Sequence, residues 1–267
     1  MTMKTSGLNY AFAVGKIRAL ERFLIKQEVF EEAIKAELVE ALRLFVESDL
    51  YSDELLEVRD SGRLEELLEA EQLKLKQLVA GLILEDELKG LLELVDAKRL
   101  QAALLQCHNR FLKDYLMHLA DMHNIKTFLR LRLLGEAQDE LERHLFFEGF
   151  IKREVFIQAY ALELAAFLNR LEYVNNGERT IDYACFLRVP IEGLKKEKSF
   201  VGLEKAIADF LITALRPAKY LIFGPEPLLA YYFAKLNEMN LLRMIVLSKL
   251  NNLPADLAQK RLNAVYA

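Results

Sequence analysis

With 267 residues, 53% of them hydrophobic and 28% charged, the chain is long enough to bury one large core or two ordinary ones. Only 11 glycines and 5 prolines stand against an abundance of Leu, Glu, Lys, Arg and Ala, which excludes a turn-rich β protein and predicts an all-α fold. A formal net charge of -4, with both signs interspersed, leaves no positive field for a nucleic acid backbone, so no nucleic acid partner is expected.

The stretch from Met1 to Tyr10 is polar and lacks the apolar segment of a secretory signal, so the protein is expected to stay inside the cell. From Ala19 to Val46 apolar residues recur near the helical period, at Leu20, Phe23, Leu24, Phe30, Ile34, Leu38, Leu42 and Phe45, predicting one long amphipathic helix or two in tandem. Cap-type and acidic residues from Ser48 to Glu54 mark a helix boundary. Beyond a break at Ser61-Gly62, Leu64 to Leu84 and Leu88 to Leu119 read as further helices, interrupted around Gly81 and Gly90.

Asn175-Asn176-Gly177-Glu178 is a turn, and Ile181 to Pro190, rich in β-formers, is expected to be loop or a short strand before Gly193. The charge run Lys195-Lys196-Glu197-Lys198 belongs on the surface; a lipid or subunit contact by Glu192 to Lys198 is the rarer alternative. Leu211 to Ala234 is the most apolar long stretch, but Arg216, Lys219, Glu226, Pro217, Pro225 and Pro227 interrupt it and exclude a spanning helix. Any membrane contact is then peripheral.

Phe223-Gly224-Pro225-Glu226-Pro227 opens the last helical unit, because proline suits the first helical position, and Asn251-Asn252-Leu253-Pro254 repeats the device. Between them Leu241 to Leu250 is apolar nearly all round, as in a helix packed on most sides. The two cysteines, Cys107 and Cys185, have no metal-ligand spacing and form no disulfide framework, which fits a reducing compartment.

An internal repeat is suggested by Tyr115 with Tyr231, Asp121 with Asn237, Asn124 with Asn240, Leu131 with Leu247 and Leu141 with Leu257, all at an offset of 116 (124 to 240). Chance similarity of leucine-rich helices is the alternative. The polar corners Asp121, Asn124, Asn237 and Asn240 are read as structural, since short polar side chains bond nearby backbone and fix how helices meet; ligand binding is the competing reading.

The run from Gly224 to Tyr231, the runs Lys235 to Met244 and Lys249 to Pro254, the middle run Lys113 to Leu116 with Asp121 to Thr127, and the opening Tyr10 to Leu20 together resemble the C subunit of archaeal and bacterial A/V-type ATPases, equivalent to the eukaryotic d subunit. The resemblance implies a funnel of three related helical units, at approximately 1–100, 101–190 and 191–267. Two departures stand out. Only two clear copies of the corner are found, with Asp96-Ala97-Lys98-Arg99-Leu100 as a worn first copy in which Arg99 replaces asparagine, and the chain looks shortened between about Ala70 and Gly90.

No phosphate-binding loop, dinucleotide turn, nucleophile elbow or His-Glu-x-x-His helix occurs, so the usual signals for nucleotide, hydride, acyl and zinc chemistry are missing. Asp114, His118 and Asp121, at i, i+4 and i+7, could offer a metal one helix face, but the matching Glu-x-x-His of a facing helix is lacking and a polar face or buried corner is preferred. The aromatic clusters Tyr231, Tyr232, Phe233 and Phe146, Phe147, Phe150 are read as core before partner surface.

The resemblance implies a non-catalytic socket between the membrane rotor ring and the central stalk subunits D and F, on the cytoplasmic face of the membrane. It implies no cofactor, no metal and no small-molecule substrate. An unrelated helical adaptor and a metal-dependent helical enzyme are the rival functions. Asn240→Ala is expected to lower stability or assembly without removing a chemical activity.

Overall fold

A computed structural model describes residues 9–48, 51–93, 97–175 and 180–267. Several readings touch positions outside the described residues: most of the opening stretch, the centre of the boundary at Asp49-Leu50, Asp96 of the worn corner with the side chains of Ala97, Lys98 and Arg99, and the turn from Asn176 onward. The fold is all-α, with a single two-stranded hairpin among the described residues. The helices are α1 (Ala11–Glu21), α2 (Gln27–Lys35), α3 (Leu38–Ser48), α4 (Ser61–Ala80), α5 (Asp86–Lys89), α6 (Ala97–Gln106), α7 (Arg110–Leu134), α8 (Gln138–His144), α9 (Arg153–Tyr160), α10 (Leu164–Leu171), α11 (Ala184–Glu197), α12 (Val201–Leu215), α13 (Glu226–Leu250) and α14 (Ala255–Arg261). The hairpin joins α10 to α11, pairing β1 (Val174–Asn175) antiparallel with β2 (Thr180–Ile181).

Two compact units result. The first comprises the chain up to Leu92 and from Ile212 onward; the second runs from Glu93 to Leu211. In the first unit α13 is the axis, packing on α1, α2, α3, α4 and α14. Its apolar circumference explains this: Leu228, Leu229, Ala230, Leu241, Leu242, Ile245 and Val246 are all buried, although they point in several directions around the helix. Phe30 and Phe45, with ring centroids 5.7 Å apart, bring α2 and α3 together beneath it.

The second unit is built around Phe128 of α7, whose ring stacks on Phe167 of α10 at 4.0 Å and meets Phe156 of α9 at 6.1 Å. Leu187 and Ile191 of α11 and Leu203 of α12 close the same core.

One expectation changes in the folded chain and one is sharpened. The segment read as loop or strand, Ile181 to Pro190, contributes only Ile181 to a strand; from Ala184 it is helical, with Pro190 inside α11. Ala184, Leu187, Ile191 and Leu194 are buried at helical spacing, so apolar burial overrides one missing backbone donor. The one long helix or two in tandem expected across Ala19 to Val46 are the end of α1 followed by two helices in tandem, α2 and α3. Neither break carries glycine or proline, and both are held from α13. Glu238 Oε2 accepts the backbone N–H of Ile25 at 2.7 Å, and Lys249 Nζ donates to the carbonyls of Ile34 (3.1 Å) and Ala36. Backbone groups freed where a helix stops need such partners when they are buried.

Candidate functional site

In the second unit the polar corner lies at the middle of α7, where Asp121 is fully buried and Asn124 is 2% exposed. After α8 the chain returns across this point. Asp121 accepts the N–H of Phe150 at 2.9 Å through Oδ2 and of Ile151 at 3.0 Å through Oδ1. Asn124 accepts from the Phe146 N–H at 2.7 Å and donates to the Phe147 carbonyl at 3.2 Å. These bonds satisfy a stretch of backbone that belongs to neither helix nor strand.

The remaining partner is Tyr183, fully buried before α11, whose hydroxyl donates to Asp121 Oδ2 at 2.8 Å and lies 2.7 Å from His118 Nδ1. Burial pushes the Asp121 carboxyl up to about 7, against the lowering effect of the three hydrogen bonds it accepts. Gly149 is what lets the backbone pass so close. A Cβ on it would lie 2.6 Å from Asp121 Cγ and closer still to Asp121 Oδ1 and the Met117 carbonyl.

The first unit has its own corner on α13. Glu238, 3% exposed, accepts from Ile25 N and from the Tyr51 hydroxyl at 3.2 Å, and it pairs with Lys235 one turn earlier. Lys235, 8% exposed, also lies 4.2 Å from the centre of the Tyr51 ring. Burial lowers the Lys235 pKa, opposed by the adjacent Glu238 charge, while burial followed by the same charge raises Tyr51 well above the usual phenol value. Asn237 does a separate job, donating to the Ala264 carbonyl at 3.2 Å and accepting from Asn263 at 3.0 Å, so that it ties down the C-terminal tail.

Asn240 joins no such corner. It is exposed, and its Oδ1 accepts from Arg243 of its own helix at 3.1 Å. The stability expectation therefore moves to its neighbour. Asn237→Ala is expected to cost about 1 kcal/mol in urea unfolding of the whole chain, because it takes a donor from the Ala264 carbonyl and the acceptor from the Asn263 amide. Asn240→Ala should stay within about 0.5 kcal/mol.

Matching the two long helices by what their side chains do gives an offset of 117, one more than the similarity of residue types suggests. Asp121 corresponds to Glu238, Arg132 to Lys249, and Gly135 to Asn252. Arg132 Nη1 reaches the Ala159 carbonyl at 3.4 Å near the end of α9, as Lys249 reaches the end of α2. Each helix ends in the same cap. Gly135 (φ 74°) and Asn252 (φ 50°) are left-handed, and the following N–H groups, of Glu136 and Leu253, bond back to Leu131 and Ser248 at 3.0 and 2.8 Å. In this register buried faces agree from residue 121 onward: Met122 with Met239, Ile125 with Leu242, Phe128 with Ile245, Leu129 with Val246.

The helix pairs that these clasps hold also correspond. Ile25-Lys26-Gln27-Glu28-Val29-Phe30 opens α2, and Ile151-Lys152-Arg153-Glu154-Val155-Phe156 opens α9, an offset of 126 (25 to 151). Each long helix thus clasps an isoleucine N–H, of Ile25 or Ile151, immediately before an equivalent pair. In the second unit the long helix precedes its pair in the chain; in the first unit the pair comes near the beginning and its long helix near the end. This doubled motif was visible in the residue order, whereas Glu238, Lys235, Tyr51, Tyr183 and Lys249 carried no local signal.

Of the candidate metal ligands, Asp121 is committed to the corner and His118 approaches Tyr183 while its ring packs on Phe150 and Phe210, 4.8 and 5.0 Å away. Among the described residues no group of three His, Cys, Asp or Glu side chains stands close enough to hold a metal ion. Tyr231, Tyr232 and Phe150 are core, while Phe146, Phe147 and Phe233 are half-buried. No helix among the described residues is long and apolar enough to cross a membrane.

Comparison with known proteins places these corners in context. Residues 94–261, which include both long helices, match the family model of the ATP synthase (C/AC39) subunit. The C subunit of the V-type sodium ATPase of Enterococcus hirae is 27% identical over 146 residues, covering 55% of this chain and 42% of that protein. The chain therefore spans less than half the length of that curated relative. A match to that family model over residues 94–261, more than half of the chain and running through both α7 and α13, makes this chain a member of the ATP synthase (C/AC39) subunit family.

Proposed function

We propose that the chain is a non-catalytic rotor subunit of a V/A-type ATPase or ATP synthase, a socket that couples the central stalk to the membrane rotor ring during ATP-linked proton or sodium transport. Its partners in this reading are the stalk subunits D and F and the ring, and its place is the cytoplasmic face of the membrane. Family membership carries the proposal. The clasped units support it. A part that transmits torque must resist shear, and here each long helix is pinned to a helix pair by a buried carboxylate at its middle and a basic side chain at its end. We read these clasps as marking pseudo-repeats, with Asp121, Asn124 and Asn237 as structural corners.

The test is reconstitution of the whole chain with the stalk and ring subunits of its own complex. The chain should bind the D–F pair and the ring together, have no ATP turnover by itself, and restore coupled transport to a complex lacking it. Binding to neither partner would overturn the reading, and selective binding to an unrelated soluble protein would instead support a helical adaptor.

A further inference from the structure

The two clasps differ in how the buried carboxylate is compensated. Glu238 has a cation, Lys235, in direct contact. Among the described residues, Asp121 has only neutral donors: two backbone N–H groups and the Tyr183 hydroxyl. Among the described residues, the titratable groups seen to face it are Tyr183, from the turn before α11, and through it His118, from its own helix; Phe150 and Phe210, from the return segment and α12, pack apolar rings against the chain.

This chain of hydrogen bonds accepts a proton without losing a bond. With Asp121 ionised, Tyr183 gives its one proton to Oδ2, so its oxygen accepts from His118 Nδ1–H. With Asp121 protonated, the carboxyl donates to the Tyr183 oxygen, the phenol donates to Nδ1, and the imidazole carries its proton on Nε2 instead, so the chain holds one proton more. Ionisation leaves a charge in a site closed to water, and opening of the segment over it returns the carboxyl to water.

We propose that the Asp121–Tyr183–His118 chain is a proton-sensitive latch, which holds the 145–151 segment to α7 firmly when Asp121 is protonated and more loosely when it is ionised. The carboxyl is raised in the closed state to about 7 from an ordinary value of 3.8. Resistance to opening is therefore fully present below about 4 and is lost as pH rises through about 7.

Backbone hydrogen exchange of the whole chain, corrected for the intrinsic rate at each pH, tests this. Protection of the Phe150 and Ile151 amides should fall at least about tenfold between about pH 5 and pH 8, and Asp121→Asn should abolish the fall. A level profile at Phe150 and Ile151, or a fall that survives Asp121→Asn, would overturn the latch. Should the variant not fold, the carboxyl carbon resonance of Asp121 in the unmodified chain decides: a titration midpoint above about 5.5 supports the latch and one below it sinks it.

Discussion

Glu238→Ala is expected to lower the stability of the chain by about 3–5 kcal/mol, the range for removing one partner of a buried ion pair. The substitution removes three things together. It leaves the Lys235 ammonium, 8% exposed, without its carboxylate; it strands the Ile25 N–H at the break between α1 and α2; and it takes the acceptor from the Tyr51 hydroxyl. Glu238→Gln should cost less, because the amide oxygen still serves Ile25 or Tyr51 and only the charge pairing with Lys235 is lost. The double variant Lys235→Met with Glu238→Leu should recover the part of the loss that comes from the buried charge, while the Ile25 N–H and the Tyr51 hydroxyl stay without their acceptor. Urea unfolding of the three variants checks this order. Equal stability of Glu238→Ala and the unmodified chain would mean that the clasp contributes nothing.

The same cluster shows where residue order stops being informative. The amphipathic period of α2, α3 and α4 and the all-round apolar character of α13 were legible, because each is a local pattern that a single core imposes on one element. The breaks on either side of α2 were not, because what ends these helices is Glu238 and Lys249, about two hundred residues away along the chain (|i−j| of 213 and 215). Propensity at Ala36 and Glu37 favours helix, and a distant ammonium overrides it by taking up the carbonyls. Pro190 and its β-branched neighbours disguised α11 for the opposite reason: local residue types argued against helix while Leu187, Ile191 and Leu194 packed into the core.

The candidate site was half legible. Asp121 and Asn124 stood out as polar residues in an apolar helix, and both hold backbone. The partner corner was assigned one residue early because Asn237 and Asn240 resemble Asp121 and Asn124 in type, whereas the residue that takes the equivalent N–H is a longer acid, Glu238. A carboxylate can be moved by one side-chain methylene without changing its role, so type matching alone does not fix the register of such a repeat. The doubled Ile-Lys-x-Glu-Val-Phe segment is the stronger marker, because it places an isoleucine N–H and a core phenylalanine (Phe30 or Phe156) at fixed separation.

Gly149→Ala is the severest single-methyl change expected in the second unit, about 3 kcal/mol or more, which is large for one added methyl because overpacking usually costs less. The reason is which atoms the new carbon would meet. A flexible side-chain tip could swing away, but here the obstacles are the Met117 carbonyl, part of the α7 backbone, and the Asp121 carboxylate, which is held by Phe150 N, Ile151 N and the Tyr183 hydroxyl. Relief requires lifting the 145–151 segment off α7, which breaks those bonds and exposes the phenyl rings of Phe150 and Phe156 behind them. Gly193→Ala supplies the contrast, since a Cβ there meets nothing within 4 Å and replaces glycine inside a helix, a change that should stabilise by about 0.5–1 kcal/mol. Thermal unfolding of both variants measures the difference directly. If Gly149→Ala proves as stable as Gly193→Ala, the segment does not lie on Asp121 as closely as its hydrogen bonds require, and the clasp in the second unit must be drawn differently.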